Sequence, residues 1–367
     1  MTLSLENQLL LRKKQNNFRQ LTPVLPLIDF SSNDYLGLAR SSDLMDSIIL
    51  EQHRLPNDLK GFGSTGSRLL SGNSQYAQDL ENTIAAFHAF DSGVIFNCGY
   101  MANVGLLSTV ARQIDTIFFD SRVHASTRDG IRLSRAQSYP FKHNNLAHLE
   151  QRLKNGSAKG NRFICIESIY STSGKRAPLV DISTLAKRYD AHLIVDEAHA
   201  VGVYGPKGRG LVAEADLHSS TFALIVTFGK ALGTHGAIVL GRRGLIDSLI
   251  NFATPFIYTT ALPFFSFAAI KCSYDYFPKC EPERSRLHRL IDQCNKIYAE
   301  SSGTQIQSIK MNGNKEARYM AQKLAKTGFD VKPLLSPTVQ RGHEILRICL
   351  HSFNTKNELQ TLMEIVS

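Results

Sequence analysis

The stretch His192-Leu-Ile-Val-Asp-Glu-Ala-His199 is a short apolar run that ends in two carboxylates. Five similar runs occur between about residues 92 and 241, bounded by Gly, Asp or Ser and separated by segments with helical spacing. Such runs are typical of strands buried on both faces of a parallel sheet, with helices as crossovers. The pattern therefore predicts an α/β fold. The predicted strands are Gly93–Phe96, Thr116–Phe119, Arg162–Ile166, His192–Val195, Ala223–Phe228 and Gly236–Leu240.

The ends of the chain differ in character from this central region. After Pro263 a charged helical stretch runs to about Glu300, and strand-like runs at Gln305–Lys310 and Leu346–Leu350 flank a helix-like run at Lys315–Lys326. The first 20 residues set leucines among basic and amide residues, which predicts an amphipathic helix. We therefore expect an N-terminal helix and arm over residues 1–45 that packs with a small domain, a large α/β domain over residues 46–262, and the small α+β domain itself over residues 263–367.

Length and composition exclude several classes of protein. The 367 residues are 43% hydrophobic and 20% charged, which is ample apolar material for one large core or two ordinary ones. No apolar stretch approaches the roughly 20 residues that span a bilayer, and the N-terminus lacks the apolar centre of a signal peptide. We therefore expect a cytoplasmic protein without a membrane partner. The six cysteines are at least eight positions apart, which excludes paired-cysteine motifs and predicts reduced thiols and no metal site.

The net charge of the chain indicates which class of ligand or partner it binds. The net charge is +10, from 42 basic and 32 acidic residues. A nucleic acid would suit such a balance, but the basic residues are scattered and form no block of like charge. We therefore favour an anionic small ligand or an acidic carrier protein over nucleic acid.

Two short motifs suggest other functions, and their context argues against both. Gly61-Phe-Gly-Ser-Thr-Gly66 fits the GxGxxG fingerprint of dinucleotide-binding oxidoreductases, but the polar segment before it predicts no strand. Asp196-Glu-Ala-His199 spells the DEAH box of nucleic-acid helicases, which also need a GxxxxGK[ST] phosphate loop. The chain has no such loop, and Gly229-Lys230 is followed by alanine instead of a hydroxyl residue that would hold magnesium. A helicase is therefore only a remote alternative.

Polar residues follow most of the predicted strands, at the edge where open α/β sheets bind their ligands. Lys230 lies between glycines after one strand, where burial favours a neutral, nucleophilic amine that can form a Schiff base. A lysine paired with a carboxylate in a loop is the alternative. Asp196 ends the preceding predicted strand and is placed to hold the pyridine nitrogen of pyridoxal phosphate or to cap a helix. His199 is suited to the cofactor's ring oxygen, to Asp196 or simply to the core.

Further strand ends offer the remaining groups that such a cofactor needs. Gly99 and Tyr100 open a predicted helix, whose N-terminal N–H groups suit a phosphate. His124 can stack on a flat ring, Thr227 offers a hydroxyl to the phosphate, and Ser168 can reach the ring oxygen. Each of these residues alone is weak support. Together, on successive strand ends, they predict a pyridoxal-phosphate site.

Six motifs carry a resemblance to a known family. From about residue 15 to the C-terminus the chain resembles the α-oxoamine synthases, which are fold-type I pyridoxal-phosphate enzymes. The resemblance implies a large domain with a mostly parallel sheet flanked by helices, a smaller α+β domain and pyridoxal 5′-phosphate as cofactor. The motifs are Phe30-Ser-Ser-Asn-Asp-Tyr-Leu-Gly37, Gly63-Ser-Thr-Gly-Ser-Arg-Leu-Leu-Ser-Gly72, Asp129-Gly-Ile-Arg-Leu-Ser134, Val195-Asp-Glu-Ala-His199, Thr227-Phe-Gly-Lys230 and Tyr258-Thr-Thr-Ala-Leu-Pro263.

The resemblance also implies a role for each matching residue in the cofactor site. Lys230 matches the lysine bound covalently to the cofactor, Asp196 the partner of the pyridine nitrogen, and His124 the stacked ring. The remaining matches are Ser168 and His199 on the ring-oxygen side, Thr227, Gly99 and Tyr100 at the phosphate, and Thr259 and Thr260 at the phosphate of a neighbouring subunit in a homodimer.

Four further residues match substrate contacts of the family. Arg347 matches the arginine that binds the amino-acid carboxylate, with Asn33 nearby. Arg19 matches a residue that meets the acyl substrate, and Thr338 lies nine positions before Arg347, as in the family. The chain departs from the family at Gln340, where proline is usual, and at Ile345, where many relatives have a second arginine. These departures affect the loop around the acyl chain.

The implied activity is that of an acyltransferase, which condenses an amino acid with an acyl thioester and releases CO2. Within the family the motifs fit best an enzyme that uses L-alanine and pimeloyl-CoA or pimeloyl-acyl carrier protein. A glycine or serine user with another acyl-CoA is the alternative. A cofactor-binding protein without activity is disfavoured because Lys230, Asp196 and His124 are all present. The positive net charge suits a donor with an anionic phosphopantetheine arm.

Overall fold

The structure, a computed structural model, describes residues 3–23, 25–59, 61–156 and 159–366. The chain divides into two compact units. The larger unit comprises Leu36–Ser171 and Arg176–Arg284. The smaller unit is formed by the segments before Leu36 and after Arg284, together with Thr172–Lys175.

The regular elements alternate along the larger unit as the sequence predicts. In chain order the strands are β1 (Ile28–Asp29), β2 (Ser92–Phe96), β3 (Thr116–Asp120), β4 (Gln137–Phe141), β5 (Arg162–Glu167), β6 (Ala191–Asp196), β7 (Thr221–Thr227), β8 (Ala237–Gly241), β9 (Ile306–Lys310), β10 (Phe329–Asp330), β11 (Lys332–Leu334) and β12 (Ile345–Cys349). The helices are α1 (Leu3–Lys14), α2 (Ser42–Arg54), α3 (Gln75–Phe87), α4 (Gly99–Val110), α5 (Ala125–Ser134), α6 (Leu146–Asn155), α7 (Leu179–Arg188), α8 (Leu211–Glu214), α9 (Arg243–Phe252), α10 (Thr254–Ile257), α11 (Phe264–Tyr276), α12 (Glu281–Ile297), α13 (Asn314–Lys326) and α14 (Lys356–Val366).

The larger unit is built on a seven-stranded sheet in the order β2-β8-β7-β6-β5-β3-β4. Strand β8 runs antiparallel to both of its neighbours, and the other pairings are parallel. The predicted α/β fold with a mostly parallel sheet is therefore confirmed. The parallel pairing brings the carboxyl ends of β3, β5, β6 and β7 to one edge, and the register sets Glu167 of β5 opposite Asp196 of β6.

Burial on both faces explains why these strands lack polar alternation. Every residue of β2 and β8 is buried, and one face of the sheet packs on α4, α9 and α10. This core includes Phe96, Leu106, Ile225, Val239 and Leu249. Each buried aliphatic or aromatic side chain contributes about 1.5–3 kcal/mol relative to an exposed one. The sheet and α4, on which the site depends, are thereby held together by one continuous apolar core.

Helix α11 lies in the larger unit, so the compact units separate after Arg284 and not at the predicted boundary of 262/263. The reason is its apolar surface: Phe264, Phe267 and Ile270 are buried, and the helix packs on α2 and α3. Similarly, the large unit begins at Leu36, before the predicted limit at residue 46.

The smaller unit contains a three-stranded antiparallel sheet in the order β11-β12-β9 and a short parallel pair of β1 with β10. The N-terminal arm joins it through residues after α1. The Nδ2 of buried Asn17 donates to the Ser336 carbonyl at 2.8 Å, and Asn314 Nδ2 donates to the Gln15 carbonyl at 2.8 Å. Helix α1 itself buries no residue, so its leucines do not form the packed face that an amphipathic helix would have within this chain.

No helix among the described segments is long and apolar enough to cross a membrane.

Candidate active site

Lys230 and His199 meet at the carboxyl edge of the large sheet. After β7 the chain makes a tight loop, closed by hydrogen bonds from Gly233 N to the Lys230 carbonyl and from Thr234 N to the Phe228 carbonyl, both at 2.9 Å. The half-buried Lys230 projects from this loop, and its Nζ lies 2.8 Å from His199 Nε2. The predicted Schiff-base lysine and a predicted ring contact are therefore hydrogen-bonded neighbours.

Asp196 lies at the end of β6 and is held from two sides. Its Oδ2 accepts a hydrogen bond from Asn103 Nδ2 at 2.8 Å, and its Oδ1 accepts from the Ala198 backbone N–H at 2.9 Å. The residue is 7% exposed, which leaves a small part of its surface open at the sheet edge. Both carboxyl oxygens of Asp196 therefore accept a hydrogen bond. The arrangement suits an anion that faces a protonated ring nitrogen.

His124 caps the N-terminus of α5, and this fixes its ring. Its Nδ1 accepts from the Ser126 backbone N–H at 3.2 Å and lies 2.8 Å from Ser126 Oγ. Burial lowers the pKa of His124 below its ordinary value, and the positive charge of Lys230 lowers it further. A neutral imidazole held by its own helix is well suited to stacking on a flat aromatic group. Tyr100 lies edge-on to it, with ring centroids 6.4 Å apart, and donates its hydroxyl to Asp129.

The N-terminus of α4 and Thr227 lie together, and we call them the phosphate cradle after the ligand that the sequence predicts for them. A Cβ on Gly99 would lie 2.6 Å from Thr227 Cγ2, so only glycine allows the close approach of the helix to the end of β7. Cys98, the N-cap of α4, makes no side-chain hydrogen bond to the helix. Thr227 Oγ1 is buried and has no hydrogen-bond partner within the described ranges. An unpartnered hydroxyl beside a helix N-terminus fits the phosphate of the predicted cofactor.

The remaining predicted cofactor residues differ in exposure. Ser168 is 0% exposed, and its backbone N–H donates to the Asp196 carbonyl at 2.9 Å. Thr260 is exposed and Thr259 is half-buried, and the Thr260 carbonyl accepts from Asn97 Nδ2 at 2.8 Å. The roles assigned to these three residues stay predictions, as do those of the other predicted site residues.

In the smaller unit the structure brings the predicted substrate residues together in two pairs. Arg347 Nη2 donates to Asn33 Oδ1 at 2.9 Å, and the hydroxyl of Tyr35 donates to the same oxygen at 3.0 Å. Arg19 Nη2 donates to Thr338 Oγ1 at 2.8 Å, although 319 positions separate the two residues. Both pairs join the N-terminal arm to the C-terminal segment.

The two positions that depart from the family lie close to these pairs in the chain. Gln340 is exposed, and its carbonyl accepts from His343 N at 2.9 Å. Ile345 begins β12, where it pairs with Lys310 and with Leu334. An apolar residue is thus accommodated in the sheet at the position where relatives carry a second arginine.

Two residues of the site were not predicted from the sequence as functional residues. Asn103 lies in the second turn of α4, and only the packing of that helix on the sheet places it beside Asp196. Glu167 is one of the polar strand ends, and its position opposite Asp196 depends on the register of β5 and β6. The repeated strand endings were the only available signal, and they indicate Glu167 but not Asn103.

The two competing motifs have structural roles. Gly61 to Gly66 form an irregular segment, and no strand lies among the described residues between α2 and this segment, so a dinucleotide-binding βαβ unit does not begin there. Glu197 of the DEAH sequence is 0% exposed and accepts hydrogen bonds from the Leu211 and Val212 backbone N–H groups at 2.7 and 3.0 Å. It therefore anchors the start of α8.

Comparisons with known proteins show the family to which this chain belongs. The family model described as aminotransferase class I and II matches residues 26–366. An 8-amino-7-oxononanoate synthase of Emericella nidulans is 38% identical over 388 residues, which cover 97% of this chain and 93% of that protein. Another from Chromobacterium violaceum is 38% identical over 344 residues, which cover 92% of this chain and 88% of that protein. The chain belongs to the 8-amino-7-oxononanoate synthase family.

Solved structures of related proteins have the same fold as this chain. The crystal structure of a family member from Francisella tularensis has a TM-score of 0.78 at 30% identity and covers 93% of this chain and 96% of that one. A serine palmitoyltransferase from S. paucimobilis with bound pyridoxal phosphate and myriocin has a TM-score of 0.88 at 25% identity, with coverages of 99% and 95%. The predicted fold-type I architecture, the resemblance to α-oxoamine synthases and the pyridoxal 5′-phosphate cofactor are therefore confirmed.

Proposed function

We propose that this protein is an acyltransferase of biotin biosynthesis that condenses L-alanine with a pimeloyl thioester. The products are 8-amino-7-oxononanoate, CO2 and a free thiol. The observation that carries the proposal is the group at the carboxyl edge of the large sheet, where Lys230 contacts His199 and the Asp196 carboxyl accepts a hydrogen bond from Asn103. Relatives that are 38% identical over almost their full length and bear the name of this synthase support the choice of substrates.

The residues of the larger unit would hold the cofactor. Thr227 and the N-terminus of α4 at Gly99 would bind its phosphate, Asp196 its ring nitrogen, and the neutral ring of His124 one of its faces. Lys230 would form the covalent bond through Nζ, with His199 next to it. When bound, pyridoxal phosphate supplies an electron sink for negative charge that develops at the amino acid's Cα.

The chain's own groups would then orient the reactants and move protons. Lys230 Nζ, once free, removes the Cα proton of alanine, because an uncharged amine is a competent general base. A new bond joins that Cα to the thioester carbonyl carbon, the C–S bond breaks, and the alanine carboxylate leaves as CO2. Lys230 Nζ returns a proton to the same carbon.

In the smaller unit, Arg347 and Arg19 are proposed to bind the substrates. The guanidinium of Arg347, oriented by Asn33 Oδ1, would bind the carboxylate of the amino acid. Arg19, oriented by Thr338, would meet the acyl substrate. The thioester would be carried by CoA or by an acidic acyl carrier protein, and the net charge of +10 would speed the encounter with either.

The experiment is a matrix of substrates offered to the purified holoenzyme. L-Alanine, glycine and L-serine are each combined with pimeloyl, succinyl, acetyl and long-chain acyl thioesters, and CO2 and thiol release are followed. Formation of 8-amino-7-oxononanoate from alanine and the pimeloyl donor alone is the expected result. A preference for glycine or serine with another acyl group would leave the cofactor site intact and overturn the substrate assignment.

We also propose that the protein acts as a homodimer. The side chains of Phe62 and Tyr258 are 101% and 82% exposed, and the two segments that carry them are joined by a 2.9 Å hydrogen bond from Ala261 N to the Gly66 carbonyl. A second subunit would cover this apolar surface and receive Thr259 and Thr260. Light scattering should give twice the chain mass of 40.8 kDa. Phe62→Ser with Tyr258→Ser should shift the mass toward the monomer, whereas Tyr319→Ser, in the other unit, should not.

A further inference from the structure

Glu167 is a buried carboxyl that the mechanism above does not use. It ends β5 directly opposite Asp196 of β6 and is 3% exposed. Its Oε2 accepts a hydrogen bond from the Ser171 backbone N–H at 2.9 Å, which closes the turn that follows the strand. The backbone N–H of His124 is near enough to influence its pKa, yet Oε1 makes no hydrogen bond to any residue in the described ranges. A buried carboxyl oxygen without a partner calls for an explanation.

Two carboxyls side by side at a buried sheet edge do not both carry a charge at low cost. Among the described residues, Asp196 accepts two hydrogen bonds, from Asn103 and Ala198, whereas Glu167 accepts one at normal length, from Ser171 N. Of two such carboxyls, the one that accepts more hydrogen bonds carries a negative charge at the lower cost. The carboxyl that accepts fewer hydrogen bonds is the one that retains its proton.

We propose that Glu167 is a positioning residue of the cofactor site, which stays protonated so that Asp196 alone presents a negative charge, and which holds the Ser171 turn in place. The charges around Glu167 are consistent with this role. Burial raises the pKa of Glu167 to about 8, and the negative charge of Asp196 adds to this effect. The positive charge of Lys230 and the backbone N–H groups of Ser171 and His124 oppose it. On its own loop the acidic group that faces it is the hydroxyl of Tyr170.

The inference rests on the proposed function, because it concerns the same cofactor site, but its test needs no substrate. The apoprotein is titrated with pyridoxal phosphate, and the dissociation constant is measured by absorbance in the wild type, Glu167→Gln and Glu167→Leu. Gln is neutral and can still accept from Ser171 N, whereas Leu is neutral and cannot. Glu197→Gln is the matched control, because Glu197 is equally buried, with a pKa raised to about 7, but its carboxyl holds α8.

At pH 7 we expect Glu167→Gln to bind the cofactor within about twofold of the wild type, and Glu167→Leu to bind it about tenfold more weakly because the Ser171 N–H loses its partner. Above about pH 8, wild-type affinity should fall, since ionised Glu167 adds a negative charge near an anionic cofactor. Glu167→Gln should lack this decline and Glu197→Gln should retain it.

The folded state of the apoprotein gives an independent readout. The difference in melting temperature between Glu167→Gln and the wild type should grow from about pH 5 to pH 8, because only the wild type must keep a carboxyl protonated in that range. A tenfold loss of affinity in Glu167→Gln at pH 7, or an alkaline decline unchanged by this substitution, would overturn the inference. Failure of the wild-type apoprotein to bind pyridoxal phosphate would instead overturn the proposed function.

Discussion

At the scale of single residues, the site depends on side chains that fix the charge and orientation of others. Asn103 is the clearest example, because its amide connects α4 to Asp196 and is itself 4% exposed. Removal of this donor would leave the Asp196 carboxylate with one hydrogen bond in a buried setting. A buried charge that loses a partner costs free energy both in folding and in any ligand bound through it.

Asn103→Ala should therefore weaken pyridoxal-phosphate binding about tenfold, because loss of one charge-assisted hydrogen bond costs about 1.5–3 kcal/mol. Titration of the apoprotein with the cofactor, followed by absorbance, measures this. The matched control is Asn251→Ala, in which the amide of an exposed residue on α9 loses its bond to the Asp247 carbonyl. Equal affinities in both variants would show that Asp196 does not need Asn103.

Lys230 is the residue on which activity should depend most steeply. Lys230→Ala should abolish the visible absorbance of the covalently bound cofactor and lower kcat by at least about a thousandfold, since both the nucleophile and the general base are lost. Spectra and turnover of the purified protein test this. Lys271→Ala, which removes a surface ion pair with Asp275, should change neither. Turnover near the wild-type rate in Lys230→Ala would exclude the proposed mechanism.

At the scale of elements, most of the sheet was predictable, because buried strands appear in the sequence as uninterrupted apolar runs. The predicted Arg162–Ile166 and His192–Val195 differ from β5 and β6 by one residue at one or both ends. Strand β4 was missed, since it is an edge strand, is largely exposed and contains Pro140. Edge strands need no apolar run, and their pairing is decided by tertiary contacts.

The site residues that a sequence motif marks were predictable, whereas those that are placed only by packing were not. Lys230, Asp196 and His199 could be assigned because strand ends and family motifs mark them, and the structure places Lys230 next to His199. Asn103 has no such signal, because its role follows from the angle at which α4 crosses the sheet. The arm residues that approach Arg347 and Thr338 were assigned only through the family resemblance, since contacts over 300 positions leave no local pattern.

The close approach of α4 to β7 gives a prediction at this scale. In Gly99→Ala the new methyl group would lie 2.6 Å from Thr227 Cγ2, so the helix N-terminus must move away from the phosphate cradle. We expect cofactor affinity to fall at least about tenfold, with a loss of stability of about 1–3 kcal/mol from overpacking. Urea unfolding and cofactor titration measure the two effects.

Gly244→Ala is the control for this substitution. Gly244 lies within α9, and a Cβ there would meet nothing within 4 Å. Alanine in the first turn of this helix should raise stability by at most about 1 kcal/mol and leave cofactor affinity unchanged. If Gly99→Ala bound the cofactor as tightly as Gly244→Ala, the cradle would not include the start of α4.

At the scale of the whole molecule, buried titratable groups set how stability depends on pH. Burial raises the pKa of Glu197 from 4.5 to about 7 and that of Glu167 to about 8. Burial lowers the pKa of His88 from 6.5 to about 3. Each group binds protons differently in the folded and unfolded chain, and that difference fixes the slope of stability against pH.

Below pH 6.5 these groups change the stability in opposite directions as the pH rises. Above pH 6.5 they change it in one direction. Between about pH 4.5 and 8 the folded chain holds protons on Glu167 and Glu197 that the unfolded chain has released, so these groups lower stability as the pH rises. Between pH 6.5 and 3 the unfolded chain takes up a proton at His88 that the folded chain excludes, so this residue lowers stability as the pH falls. Asp29, with a pKa lowered to about 2, adds to the loss below pH 3.8.

The apoprotein should therefore be most stable between about pH 4.5 and 6.5 and should lose stability from there to pH 8. Melting temperatures across this range test the expectation. In Glu197→Gln the decline up to pH 7 should be shallower, because one of the two protonated carboxyls is replaced by a neutral amide of the same shape. A melting temperature that rises steadily from pH 5 to pH 8 in the wild type would mean that these buried carboxyls ionise in the folded state, which would contradict the proton assigned to Glu167.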